Sequence, residues 1–279
     1  MLNNQYTDCN ITALQWRVPS ATVIRCTGDF MAPNTIVVAP IPSLVSSSVG
    51  TYWQQPNKPA FNTRAEGLDE ISARSTLYRE VQPSGGYRGG GNDSDSTIVA
   101  SDAQQGEPGG VLRIYAQGSI SFTSISAGGD GGGPNAVSGG GAGGMVVLVS
   151  GTGISGIGPG LLEAIGRGGS VSQDRGLPEG GGGGGGILHL IAPSISGITT
   201  DVSGGARGGC SANCLKGLIL GFDDFGGAGG GFGGYGGKGR ISAGPGSGGT
   251  PPEDGGDGYV FQFTGDPLSV LDVDRLILW

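Results

Sequence analysis

A single histidine, His189, stands in the whole 279-residue chain. It leaves no second imidazole for a metal site, and with no nucleophile elbow it argues against acyl-transfer machinery. Charge is also scarce: only 14% of residues are Asp, Glu, Lys or Arg, the net charge is -8 and the pI is about 4.5. An acidic chain lacks the basic footprint that phosphate backbones and anionic membranes require, so no nucleic-acid partner is expected. No apolar run approaches the roughly 18 residues of a bilayer-spanning helix, so no membrane insertion is expected. The first residues, MLNNQYTDCNITALQW, show no charged segment followed by an apolar one, as a signal peptide would. That predicts synthesis in a host cytoplasm and, for a chain acting outside, departure as part of an assembly.

Cysteine is limited to Cys9, Cys26, Cys210 and Cys214. Without a secretory signal the expectation is free thiols. Cys210 and Cys214 are close enough for a local disulfide or half of a metal site, but no second pair has metal-site spacing, so no metal and no cofactor are expected. The sequon Asn10-Ile11-Thr12 would go unused in an unsecreted chain.

Glycine, by contrast, is abundant and unevenly placed. There are 63 glycines; residues 1–83 hold only Gly28, Gly50 and Gly67, and residues 259–279 only Gly265. The other 59 lie between Gly85 and Gly258. The composition step near Pro83 reads as a boundary between a β-rich attachment domain, 1–83, and a glycine-rich repeat domain, 84–279. Collagen would need a strict Gly-X-Y period, which is missing. Flexible linker is the other plain reading of glycine tracts. Against it, apolar runs punctuate the glycines at organised places.

Those runs define an irregular repeat. GEPGG-VLRIYAQ-GSISFTSISAGG (106–129), GGGAGG-MVVLVSG-TGISGIGPGLLEAIGRGG (139–169) and GGGGGG-ILHLIAP-SISGITTDVSGGARGG (181–209) share one plan. GGDG-YVFQFTG-DPLSVLDVDRLILW closes the chain. Each unit is a glycine run, a short apolar strand, a turn and a second strand; such units stack because none can bury its own apolar face. Val111–Ala116, Met145–Val149, Ile187–Ile191 and Tyr259–Phe263 read as strands, β-branched or aromatic and bounded by glycine. Ala21–Cys26 and Thr35–Val38 read the same way around Gly28-Asp29-Phe30. Leu68 to Val81 has only weak helical spacing.

Within the glycine runs, side chains recur every third residue, as in Phe232, Tyr235 and Lys238. Three is the period of the left-handed polyproline-II-type helix, which rises about 3.1 Å per residue without internal hydrogen bonds. Two bare glycine edges would let such helices pack closely and pair their N–H and C=O groups. The third edge would carry Phe232, Tyr235 and Lys238 to a surface or to another layer. The glycines 180–186 suit an interior position. The expected fold is therefore all-β, with short strands alternating with packed polyglycine-II helices in a sandwich.

Catalytic signatures fail in turn. Matches to G-x-G-x-x-G are expected by chance at this glycine content, and Gly237-Lys238-Gly239 lacks the hydroxyl residue of a P-loop. Arg88, Arg167 and Arg207 each precede Gly-Gly, but isolated copies in an acidic chain do not make an RNA-binding tail. No carboxylate pair marks a glycan-cleaving site, and no enzyme is expected. Three segments interrupt the pattern: 170–179, 210–225 and 244–254. The middle one holds Leu218, Phe222, Asp223, Asp224 and Phe225. Exposed apolar loops on a rigid scaffold are the usual form of a recognition site, whereas Leu218–Leu220 reads equally well as a core strand. Asp223 and Asp224 lack the surrounding pattern of a calcium loop. Gln173, Asp174 and Arg175 read as a polar tip. The candidate contacts are Leu218, Phe222, Asp223, Asp224, Phe225, Phe232, Tyr235, Gln173 and Arg175.

The runs GGDGGG (128–133), GGGAGG (139–144) and GGAGGGFGGYGGKG (226–239) resemble the glycine-rich adhesins at the tips of T-even-type phage long tail fibres. The resemblance covers about residues 84–258 and implies a polyglycine-II sandwich whose loops, here 170–179 and 210–225, face a host receptor. Residues 1–83 do not match that family's attachment domain. The resulting expectation is a virion protein that binds other virion proteins and a host surface protein or glycan. A capsid decoration or cement subunit is the alternative, with an ice-binding protein ranked below it.

Overall fold

The computed structural model describes residues 4–40, 65–78, 83, 106–131, 139–169, 180–209, 229–239, 241–243 and 247–270. The fold is built mainly from β-strands. The first coil holds β1 (Asn4–Tyr6), β2 (Cys9–Asn10) and β3 (Gln15–Val18), and the second β4 (Thr22–Cys26) and β5 (Phe30–Val38). After helix α1 (Glu70–Ser75) come β6 (Val111–Ala116) with β7 (Ser119–Ser126), and β8 (Met145–Ser150) with β9 (Gly153–Glu163). Then follow β10 (Ile187–Ala192) with β11 (Ile195–Asp201), the hairpin β12 (Ile241–Ala243) and β13 (Ser247–Thr250), and finally β14 (Tyr259–Thr264).

The pairs β4 and β5, β6 and β7, β8 and β9, and β10 and β11 each give one strand to each of two sheets. The first coil gives β1 to one and β2 and β3 to the other, and β14 joins the first sheet alone. The first sheet runs β1-β4-β6-β8-β10-β14, and the second runs β11-β9-β7-β5-β2, with β3 also beside β5. Every pairing within them is parallel. Parallel neighbours require the chain to travel back between strands, and from β7 onward the glycine segments make that return. Register is strict: Leu112 lies beside Val146, which lies beside Leu188, which lies beside Val260.

The core lies between the sheets. Ile24, Leu112, Ile114, Val146, Leu148, Leu188 and Leu190 from the first sheet meet Phe30, Ile36, Ile120, Phe122, Ile125, Ile154 and Leu162 from the second. Burying each of these side chains stabilises the fold by about 1.5–3 kcal/mol. Strands from both sides of the composition step at Pro83 share these sheets and this core, since β4 pairs with β6 and β5 with β7.

The outer face of the first sheet is apolar as well, which is why β8 and β10 are buried along their whole length rather than alternating. A strap, residues 65–78, covers it. Asp69 caps α1 by accepting from the N–H of Ser72 at 2.8 Å, and the helix buries Ala73 and passes into a 3-10 turn, Thr76–Tyr78. Ala73, Met145, Val147, Val149, Ile187 and Ile191 form a second cluster under it, flanked by Leu68 and Leu77. The weak spacing after Leu68 thus ends in a helix only six residues long.

Candidate recognition surface

From β7, β9 and β11 the chain leaves into a glycine segment, and it returns through another to the first sheet at β8, β10 and β14. The segment 180–186 lies at the centre of these passes, and all seven glycines are buried. Gly182 donates to Glu253 O and accepts from Gly237; Gly183 donates to Arg167 O and accepts from Gly205. Gly184 donates to Gly230 O and accepts from Gly143; Gly185 donates to Gly256 O and accepts from Gly234. One buried segment therefore bonds to six surrounding passes: 139–144, 164–169, 202–209, 229–231, 234–237 and 253–258.

The partners repeat every third residue. Gly182 and Gly185 donate to Glu253 and Gly256, Gly183 and Gly186 to Arg167 and Ala164, and Gly181 and Gly184 accept from Gly140 and Gly143. These bonds measure 2.6–3.0 Å. Such a pattern satisfies buried backbone groups that neither a strand ladder nor a helix would serve. It also requires bare backbones: a Cβ on Gly182, Gly183, Gly184 or Gly185 would overlap a neighbouring backbone carbonyl.

The passes share one polarity of place. At one end they adjoin the strands, as Gly186 N–H donates to Ala164 O and Tyr259 N–H to Gly186 O. At the other end Asp130 meets Glu107, Gly140 meets Gly181, Gly169 meets Ala206, and Gly208 meets Gly180. Gly229 meets Gly237 and Glu253 meets Lys238 at that same end. The chain positions where 131 leads toward 139, 169 toward 180, 209 toward 229 and 239 toward the β12–β13 hairpin therefore cluster together, away from the sheets.

Charges along the passes stitch them to one another. Asp254 Oδ1 accepts from Arg207 N–H at 2.7 Å, and Arg207 Nη1 donates to Pro252 O at 3.4 Å. Arg167 Nε donates to Gly129 O at 3.0 Å, Asp257 Oδ1 accepts from Gly204 N–H at 3.0 Å, and Lys238 lies 4.0 Å from Glu253. Arg167 and Arg207, which precede Gly-Gly pairs, are thus engaged with the protein's own backbone.

Of the sequence candidates, Tyr235 is 42% exposed, its ring lying over Gly256. Phe232 is a correction: at 5% exposure it cannot contact a receptor. It packs with Ala142, Met145 and Val147 beneath the strap, and its carbonyl accepts from Leu68 N–H at 2.7 Å. The chain bends at 232–234, where Phe232 N–H donates to Gly234 O, so Phe232 and Tyr235 do not share one edge of a single pass as the spacing of three predicts. Phe232 meets another layer and Tyr235 faces solvent. Leu218, Phe222, Asp223, Asp224, Phe225, Gln173, Arg175, Cys210 and Cys214 lie outside the described residues. The expectation of free thiols is corrected for one pair, since Cys9 and Cys26 form a disulfide between β2 and β4. The parallel coils bring the two residues together, a proximity that cysteine counting does not reveal.

His189 was assigned no role from sequence. It is 2% exposed, stacked on Phe261 at 5.1 Å, and its Nε2 lies 2.9 Å from Thr76 Oγ1. Among the described residues, no group of three or more His, Cys, Asp and Glu side chains could hold a metal ion, and no helix is long and apolar enough to cross a membrane. Comparison of the chain with family models, with curated proteins and with solved structures finds no match.

Proposed function

We propose that the glycine passes are polyglycine-II helices packed as a bundle, and that this bundle carries recognition loops on a virion surface, as a phage tail-fibre-tip adhesin does. One observation carries the reading: the glycine passes bring residues 131 and 139, 169 and 180, 209 and 229, and 239 to one end, opposite the sheets. A bundle hydrogen-bonded on all sides is a rigid support, and sequence can vary in the loops without disturbing it. In this reading the N-terminal coils dock on other virion proteins, and segments 170–179 and 210–225 face a host surface protein or glycan. In this reading the role is binding.

Deleting residues 212–224 tests it. The variant should keep the melting profile of the native protein and lose attachment to host cells. Undiminished attachment by a folded deletion variant would remove the receptor role from that segment. Immunogold labelling of intact particles separates a tail position from the capsid-decoration alternative.

A further inference from the structure

The strap crosses the apolar outer face of the first sheet and meets a buried ionisable group, His189. His189 stands at the middle of β10, in a row with Arg113, Val147 and Phe261. Thr76 Oγ1 donates its single hydrogen to Ala73 O at 2.7 Å. The hydroxyl therefore accepts from His189, and Nε2 carries the ring's proton in the neutral form. This bond joins strap to sheet across 113 residues of chain.

Among the described residues, the charges that bear on the ring's titration are both positive. Arg113 on β6 and Arg74 on α1 act on it, Arg74 lying over the Phe261 ring at 5.0 Å. On the strap, Glu70 is paired with Arg74 at 3.0 Å and Asp69 is spent on capping the helix. The neighbouring positions on β8 and β14 are Val147 and Phe261. A second proton on the ring would thus be buried beside two cations.

We propose that residues 69–78 are an acid-released strap: neutral His189 holds the helix on the sheet, and protonation of its ring detaches the helix and uncovers the apolar face beneath. The hinge lies at Leu68, whose N–H stays bonded to Phe232 O while Gly236 N–H holds Ala65 O. Beyond it the strap is retained by Ala73, Leu77, the Thr76–His189 bond and a bond of 2.7 Å from Tyr78 Oη to Val270 O.

The direction follows from linkage. Burial, and then the two arginines, hold His189 down to about 4, against 6.5 for a free ring. The neutral-state stabilisation is complete above 6.5 and is lost as pH falls toward 4. An open strap restores the ordinary value, so the opening constant should rise about tenfold per pH unit through that window, roughly 300-fold in all.

Hydrogen exchange of the full-length protein from pH 7 to pH 4, corrected for intrinsic rates, reads this directly. Amides of residues 73 and 76–78 should lose protection with that slope while those of β8 and β10 keep theirs, and His189→Phe should flatten the response. Protection unchanged to pH 4 would overturn the proposal, as would strap and strands opening together or an unaltered pH response in the variant. Should the variant fail to fold, the ring resonance of this single histidine decides: titration near 6.5 with the strap still protected would overturn the proposal.

Discussion

Cys9 and Cys26, 17 residues apart, are bonded to each other and tie the first coil to the second. Both are buried, at 6% and 4% exposure. Strands at the end of a stack have neighbours on one side only, so β1 and β2 gain most from a covalent tie. Closing a loop of this size contributes about 3 kcal/mol through the unfolded chain. Cys9→Ser with Cys26→Ser, or reductant added to the native protein, should lower the urea midpoint accordingly. An equal midpoint with and without reductant would mean that the pair is not bonded in the folded protein.

The bundle makes a sharper prediction, because two glycines differ in surroundings. A Cβ on Gly183 would overlap the carbonyl of Gly141, whereas nothing lies within 4 Å of a Cβ on Gly209. Gly183→Ala should cost at least about 1–3 kcal/mol, since the passes cannot separate without breaking the bonds around them. Gly209→Ala should change stability by no more than about 0.5 kcal/mol. Calorimetry of both variants beside the native chain gives the comparison, and equal losses would mean that the packing is looser than these contacts require.

Much of this was legible from residue order. Met145–Val149 and Ile187–Ile191 read as strands because apolar β-branched runs stop at glycine on either side, and β8 and β10 occupy those spans with one added residue each. The interior place of 180–186 followed from the lack of any side chain to direct outward. What residue order could not give was the partner of each segment. Cys9 meets Cys26 because parallel coils return the chain to the same place, and Thr76 meets His189 because the strap crosses the first sheet; neither pair leaves a local pattern. Phe232 shows the same limit: period three aims it away from the glycine edges, but the layer it meets comes from residues 65–78. The candidate loops are legible only as interruptions of the repeat, since their side chains carry no spacing from which contacts could be derived.

Phe232 and Tyr235 separate support from exposure across a single bend. Phe232→Ala empties a buried site among Ala142, Met145 and Val147 and should cost about 3–5 kcal/mol. Tyr235→Ala removes a ring that is 42% exposed and should cost about 1 kcal/mol or less. Under the proposed function only Tyr235→Ala is informative in a cell-binding assay, because its scaffold stays intact. Denaturant titration of the two variants is the check, and a Tyr235 loss as large as that of Phe232 would place both in the core.

Asp29 offers a pH test away from the strap. Its Oδ1 accepts from Ser119 N–H at 2.6 Å and from Ser119 Oγ at 2.9 Å, bridging the turns of two coils. These bonds favour the carboxylate and lower its pKa below the ordinary 3.8. A depressed value means the stabilisation is full above 3.8 and disappears as pH falls through the folded-state value. Asp29→Asn keeps an acceptor oxygen but removes the charge. Its urea midpoint should lie below the native one at pH 6, and the gap should narrow as both proteins are taken below pH 3. The site is open to solvent, so the gap should be modest and should shrink in high salt. A gap of constant size across that range would assign the effect to hydrogen-bond geometry and leave the charge without a part in it.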